Sequence, residues 1–357
     1  MDKIRYAVVG AGWISQIAFM PSVPQTGNSA MTAIITGNAT NAAKLAAFHG
    51  IEHVWIYDDY DDALASGQFD AVYIGLPNSL HADYAVSALK AGIHALVEKP
   101  LAVSVEECEA MIAAAKEGGA LLMTAYRLHC EPGTVEAIRM IREGAIGTPR
   151  FFSSIFSFQT GEANHRLKAE HWGGPLQDIG VYCLNAARHV FGAEPTLAIA
   201  MKGHGDDPRF SEVEETISAT LRFPGDAIAT FTASFNAAEI DIYRIIGTEG
   251  EIEMQPGFRF ETPTRMILRR EGEVTETTFP DIDHFGAQTA YFSDCIRNNH
   301  PPEPDGAEGL ADVRALLAIE AAAKTGEPQP IDTPPRLGHP TADMVRMVER
   351  TDRRLVL

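Results

Sequence analysis

A chain of 357 residues is longer than one hydrophobic core usually supports, so two domains are expected. With 48 acidic residues against 29 basic ones, the net charge of −19 argues against nucleic acid or an anionic membrane as the main partner. No apolar run is long enough to span a bilayer, the four cysteines show neither paired spacing nor a CxxC, and the first strand-like run leaves no room for a signal peptide, so a cytoplasmic protein with reduced thiols is expected.

Residues 4–9 form a short apolar run rich in branched side chains, as a buried parallel strand requires. It ends at Gly10-Ala11-Gly12-Trp13-Ile14-Ser15, and a helical stretch follows. Gly10 suits a tight turn, and Gly12 lets the backbone approach a pyrophosphate at a helix N-terminus, although Ser15 stands where this fingerprint has Gly or Ala. Strand-like stretches 31–36, 71–75, 94–97 and 121–124 alternate with helix-like 39–48, 79–91 and 105–116. That alternation predicts a doubly wound parallel sheet of Rossmann type over residues 1–126. The second strand ends in Thr36-Gly37-Asn38, and no acidic residue lies between Asp2 and Glu52. A carboxylate there would bind ribose hydroxyls in NAD; its absence removes repulsion against a 2′-phosphate, so NADP is expected, with NAD the alternative. Lys44, on the helix that follows, reads as a solvated side chain.

The remainder, 127–357, reads as an α+β domain for substrate binding and oligomerisation. A helix at 134–142 stops before Gly144, and strand-like stretches follow at 151–158, 197–201, 216–223, 227–235, 241–246, 252–254 and 266–270. Pro224-Gly225-Asp226 and Gly247-Thr248-Glu249-Gly250 read as hairpin turns, so a large, mostly antiparallel open sheet is predicted. Helices are expected at 288–297 and 310–324, the second capped by Gly326 and packing back on the first domain, and 328–357 reads as an extended tail. One strand face carrying Phe151, Ile155, Phe231 and Phe235 offers more apolar surface than one helix layer covers, which points to assembly through the sheet.

Two motifs suggest the chemistry. Glu98-Lys99-Pro100 closes a βα unit, and Gly173-Gly174-Pro175-Leu176-Gln177-Asp178-Ile179-Gly180-Val181-Tyr182 opens a later helix, with Asp178 and Tyr182 four residues apart on one helical face. Brought together by the fold, Lys99, Asp178 and Tyr182 would supply a cation, a carboxylate and a phenol able to take a proton from an alcohol while a dinucleotide takes the hydride. Alone, each has a blander reading: Glu-Lys-Pro as an exposed turn, Asp178 as a helix-start residue favoured by the macrodipole, and His81 as a helix-start residue without a ligand. The histidines show no spacing suited to a metal triad, and no metal is expected.

Together with Leu76-Pro77-Asn78-Ser79-Leu80-His81, Tyr126-Arg127 and Leu184-Asn185, these motifs resemble the glucose–fructose oxidoreductase/inositol dehydrogenase (Gfo/Idh/MocA) family over residues 4–326. Tyr182, where much of that family has His, is similar to the glucose–fructose oxidoreductase branch. The glycine run before Asp178 is one shorter here, with Trp172 in its first position.

The resemblance implies that Lys99 holds the reacting hydroxyl, Tyr182 is the general base and Asp178 anchors a sugar hydroxyl. A phenol titrates near ~10, so a neighbouring cation is what makes it usable at neutral pH. It also implies a cofactor set of Gly10, Gly12, Trp13, Ile14, Thr36, Gly37, Asn38, Leu76, Pro77, Asn78, His81, Glu98, Lys99, Arg127 and Arg166. Asn78 and His81 would lie near the nicotinamide, with Leu76 and Pro77 packed on it. Arg127 would touch substrate or cofactor, and Arg166 would reach the cofactor from the second domain.

The function expected is an NADP-dependent oxidoreductase taking a hydride from the anomeric carbon of a cyclic sugar to give a lactone, with coupled reduction of a second sugar as a variant. Inositol, dihydrodiol and anhydro-sugar substrates are the alternatives, as is a catalytically silent sugar or cofactor sensor, since this fold supports both. The family also implies a homo-oligomer, dimer or tetramer.

Overall fold

The structure, a computed structural model, describes residues 2–162, 164–260, 262–336, 338–351 and 356–357. The chain divides into two compact units. One comprises Met1–Glu131, Ile282–Gly309 and Met344–Leu357, and the other Pro132–Asp281 and Leu310–Asp343. The division thus falls a few residues beyond the boundary read near 126. It also returns two later stretches to the first unit, including the helix read at 288–297.

The first unit is built on strands β1 (Ile4–Val9), β2 (Ser29–Ile35), β3 (His53–Trp55), β4 (Ala71–Ile74), β5 (His94–Val97) and β6 (Leu122–Thr124). All pair in parallel, in the order β3-β2-β1-β4-β5-β6. This is the doubly wound dinucleotide-binding order, whose ligand crevice lies where β1 and β4 part at their C-terminal ends. After β1 the chain passes through a π-helical turn (Ser15–Phe19) into the short α1 (Met20–Ser22). The other helices between strands are α2 (Ala39–His49), α3 (Tyr60–Ala65), α4 (His81–Lys90) and α5 (Val105–Gly118). The ends of α2 and α5 follow from side-chain chemistry. Asn38 caps α2 by accepting from the Asn41 amide at 3.0 Å, and Ser104 caps α5 by accepting from the Glu107 amide at 3.1 Å.

The second unit opens with α6 (Pro132–Arg142) and the long strand β7 (Pro149–Gln159), and carries α7 (Val181–Phe191) behind its sheet. The remaining strands are β8 (Leu197–Gly203), β9 (Thr216–Arg222), β10 (Ile228–Ser234), β11 (Asn236–Gly247), β12 (Gly250–Met254), β13 (Arg265–Arg270) and β14 (Glu273–Thr278). The chain then forms α8 (His284–Asn298) and α9 (Gly306–Thr325), and ends its sheet with β15 (Gln329–Pro330). Nine strands run β14-β13-β12-β11-β7-β10-β9-β8-β15, antiparallel except where β7 meets β10. Part of the stretch read as an extended tail is therefore an edge strand on β8.

The first unit's core joins the sheet to α8. Phe19 stacks on Tyr73 with centroids 3.8 Å apart, Tyr6 packs edge-on to Phe19, and the Tyr6 hydroxyl meets Ser293 Oγ at 2.9 Å. Each such fully buried aromatic contributes ~1.5–3 kcal/mol.

Register corrects the apolar face expected of the second sheet. Phe231 pairs with Ser154 and lies with Phe152, Phe156 and Phe235 on the buried side. The open side carries Phe151 and Ile155 from β7, joined by Ile228, Ile199 and Met201, the last 77% exposed. Since side chains alternate along a strand, Phe151 and Phe152 face opposite ways, which composition alone cannot reveal.

Candidate active site

In the first unit the backbone ladder aligns four turns at the C-terminal sheet edge. Gly10 N–H donates to Ile35 O, Gly75 N–H to Val9 O, and Glu98 N–H to Ile74 O, each at 2.9–3.0 Å. Gly10 has φ +89°, and a Cβ there would lie 2.7 Å from the Gly75 carbonyl oxygen, so the β1 turn can pass β4 only as glycine. Around Gly12 nothing lies within 4 Å of a built Cβ, which leaves the backbone open to a phosphate group. Ser15 serves in place of the small apolar residue by turning inward: its hydroxyl donates to Gly10 O at 2.5 Å, bracing the turn. Trp13 is half exposed beside it.

At the β2 end Thr36 is half-buried, and Gly37 and Asn38 are exposed. Asn38 presents a neutral amide engaged in capping α2, where a ribose-binding carboxylate would otherwise stand. Tyr57, which the sequence reading missed, packs here. A Cβ on Gly37 would touch its ring at 3.0 Å, and the phenol, pushed up by burial, is tempered by hydrogen bonds to the Thr36 side chain and the Gly37 backbone. Its signal was hidden because β3 is only three residues long. These residues fit NADP: an open glycine turn for the pyrophosphate and the neutral Asn38 at the end of β2 for a 2′-phosphate.

The turns after β4 and β5 hold Leu76, Pro77, Asn78, Glu98 and Lys99. His81 is the first residue of α4. It is fully buried, with Nε2 3.0 Å from Leu76 O and Nδ1 2.9 Å from Pro100 O. Burial holds its pKa below the usual histidine value, the three carbonyls of Leu76, Pro100 and Leu101 oppose that, and the Lys99 charge adds to it. Glu98 also turns into the core: its carboxylate accepts from the Tyr73 hydroxyl at 2.7 Å. Burial pushes Glu98 up, against the lowering effects of Lys99, Tyr73 and Arg127. Arg127 is 3% exposed, bonds His284 Nδ1 at 3.0 Å and lies over the Phe285 ring. Glu98 and Arg127 are thus both buried and hydrogen-bonded within the first unit.

The second unit carries Asp178 and Tyr182. Helix formation begins with a π-helical turn, Leu176–Gly180, before α7, so Asp178 sits in a widened turn while Tyr182 sits in the α-helix proper. Asp178 is paired with Arg166, Nε to Oδ2 3.2 Å, a partner that no motif marks. The loop reaches that position because Gly173 leaves room: a Cβ there would lie 2.3 Å from Arg166 O. Trp172 takes the left-handed backbone conformation, φ +50°, that a glycine would adopt, and its indole N–H donates to Glu320 Oε2 at 3.2 Å. Tyr182 is 9% exposed, with Phe156 edge-on at 6.1 Å and Phe258 at 6.2 Å. Phe258 is held from below. The buried Asp241 carboxylate accepts three successive backbone N–H groups, of Gly257, Phe258 and Arg259, at 2.8–3.0 Å. Asn185, also in the motif, is structural: its amide donates to the fully buried Asp312, which Arg188 bonds from the other side.

Residues 4–126 match the model of an oxidoreductase family with an NAD-binding Rossmann fold, GFO/IDH/MocA, and residues 134–253 match the GFO/IDH/MocA C-terminal domain. A D-xylose 1-dehydrogenase (NADP(+)) of Haloarcula marismortui is 33% identical over 91% of this chain and 92% of its own length. The chain belongs to the GFO/IDH/MocA family. Among solved family structures, the aldose–aldose oxidoreductase from Caulobacter crescentus, complexed with glycerol, superposes with a TM-score of 0.88 at 33% identity, covering 92% of this chain and all of that one. A 3-ketoreductase from Actinomadura kijaniata, in complex with NADP and TDP-benzene, does so at 0.83 and 27% identity, covering 90% and 98%. Both units of this chain therefore have the family fold, and the motifs that carried the resemblance lie at the strand ends and helix start just described.

Proposed function

We propose that this protein oxidises a cyclic aldose at its anomeric carbon to a lactone, with NADP as the hydride acceptor. The cofactor, when bound, supplies the hydride chemistry; the chain's residues bind, orient and move the proton. Tyr182 takes the hydroxyl proton, Lys99 holds that hydroxyl, and Asp178, fixed by Arg166, accepts a hydrogen bond from a neighbouring sugar hydroxyl. Gly12 and the open turn around it receive the pyrophosphate, and Thr36, Gly37 and Asn38 receive the ribose 2′-phosphate.

The observation that carries this reading is the Asp178–Arg166 pair set beside a nearly buried Tyr182 on one helix start. A sensor that only bound sugar would have no need of a proton acceptor. The relatives named for aldoses support the substrate class, and the NADP(+) in the name of one agrees with the neutral Asn38 at the end of β2. The open face of the second sheet supports a homo-oligomer formed through it.

The test is cofactor reduction, followed by absorbance, across a panel of pentoses, hexoses, inositols and anhydro-sugars. Turnover is expected with at least one aldose, and its product should be a lactone. Turnover confined to cyclitols or anhydro-sugars would replace the aldose assignment, and no turnover with any would favour a sensor.

A further inference from the structure

We infer that His81 is a positioning residue for Lys99, acting as a side-chain rung between the two strand-end turns that face the cofactor. β4 and β5 are paired up to Ile74 and Val97, and Glu98 N–H to Ile74 O carries the ladder one step further. Beyond that point Pro100 has no N–H to give, so the backbone ladder cannot continue at that residue. The His81 imidazole lies there instead, between Leu76 O and Pro100 O. Lys99 is therefore held on both sides: by a backbone bond at Glu98 and by the imidazole contact at Pro100. The same ring touches the Leu76 turn, so it ties the position of the ammonium-bearing residue to the turn that carries Pro77 and Asn78.

The ring is suited to that task. It is fully buried, and burial lowers its pKa against the raising effect of the carbonyls it faces. Carrying both N–H groups the ring donates to both carbonyls; carrying one, it donates to one of them and braces that turn alone. The His81 side chain starts at the first residue of α4, so the rung is anchored in a helix rather than a loop.

This inference rests on Lys99 holding the reacting hydroxyl, and the experiment separates the two. Lys99→Met, His81→Ala and the double variant are compared in steady-state turnover of the best aldose and in NADP titration. If His81 acts through Lys99, His81→Ala lowers kcat by about ten- to a hundredfold, the scale of an ångström-sized misplacement. In that case the sugar KM changes little, and the double variant turns over no more slowly than Lys99→Met alone. Losses that multiply in the double variant would mean that His81 acts elsewhere, and wild-type kcat in His81→Ala would likewise overturn the inference. Normal turnover in Lys99→Met would remove the role of Lys99 and with it this one. Should His81→Ala fail to fold by circular dichroism, His81→Gln, whose amide can still donate to one carbonyl, is put through the same cycle under the same criterion.

Discussion

Tyr182 and Asp178 differ in how the chain holds them, and that difference separates their expected effects. The Tyr182 ring is fixed by Phe156 and Phe258, so Tyr182→Phe keeps the packing and removes one hydroxyl. Turnover should fall by about two to four orders of magnitude with NADP binding unchanged, and near-normal turnover would assign the proton to another group. Asp178→Asn removes the charge that Arg166 balances; its signature should be a raised sugar KM, with kcat falling as well only if Asp178 also orients the base. At the cofactor corner, Asn38→Asp is a clean test because Asp also caps helices well, leaving α2 intact. Repulsion worth about 1–4 kcal/mol against a 2′-phosphate should shift preference toward NAD by roughly fivefold or more. Equal affinities before and after would mean that the corner does not meet the phosphate. Of these residues, Lys99, Asp178, Tyr182 and the glycines were legible because a motif marks them. The Arg166 partner, the inward turn of Glu98 and Arg127, and Tyr57 were not, since each depends on which side chains distant stretches bring together.

Elements with a strong period were legible, and those without one were not. β1 and β5 have the bounds that their apolar runs suggest, whereas β3 has three residues and the edge strand β14, Glu-Val-Thr-Glu-Thr-Thr, is exposed along most of its length and shows no apolar alternation. The π-turn ahead of α7 was read as ordinary helix because 3.6-residue spacing and π spacing differ by too little over five residues. Its glycines explain the local shape better than its period does. Gly173→Ala would set a methyl against the Arg166 and Lys168 carbonyls, 2.3 and 2.8 Å from the built Cβ. The 164–174 loop must then shift, at a cost of about 1–3 kcal/mol. A lowered melting temperature together with a raised sugar KM is expected, since the loop carries the partner of Asp178. Unchanged KM in a folded Gly173→Ala variant would show that Arg166 does not set the sugar site.

At the scale of the molecule, the doubly wound order of the first sheet and the open second sheet were both legible from the order of elements. The return of Ile282–Gly309 and Met344–Leu357 to the first unit was not, because periodicity says where a helix forms and not which core it joins. The open sheet face poses the remaining question. In register across β8, β9, β10, β7 and β11 run the rows Leu197–Arg222–Ile228–Phe151–Ile246 and Met201–Ser218–Thr232–Ile155–Ile242, so apolar side chains cluster on a broad, regular surface. A second copy presenting the same face can bury those side chains by two-fold pairing. Against this stands the net charge of −19, which makes two copies repel at long range. Apolar burial is insensitive to that repulsion, while salt screens it over about 10 Å at 0.1 M. Sedimentation should therefore find an oligomer at micromolar concentration that tightens as salt is raised. Phe151→Asp or Ile155→Asp should shift it toward monomer with little effect on thermal stability of the fold, because both side chains are already exposed in the single chain. A wild-type monomer, or an oligomer indifferent to both substitutions, would place the contact elsewhere or nowhere.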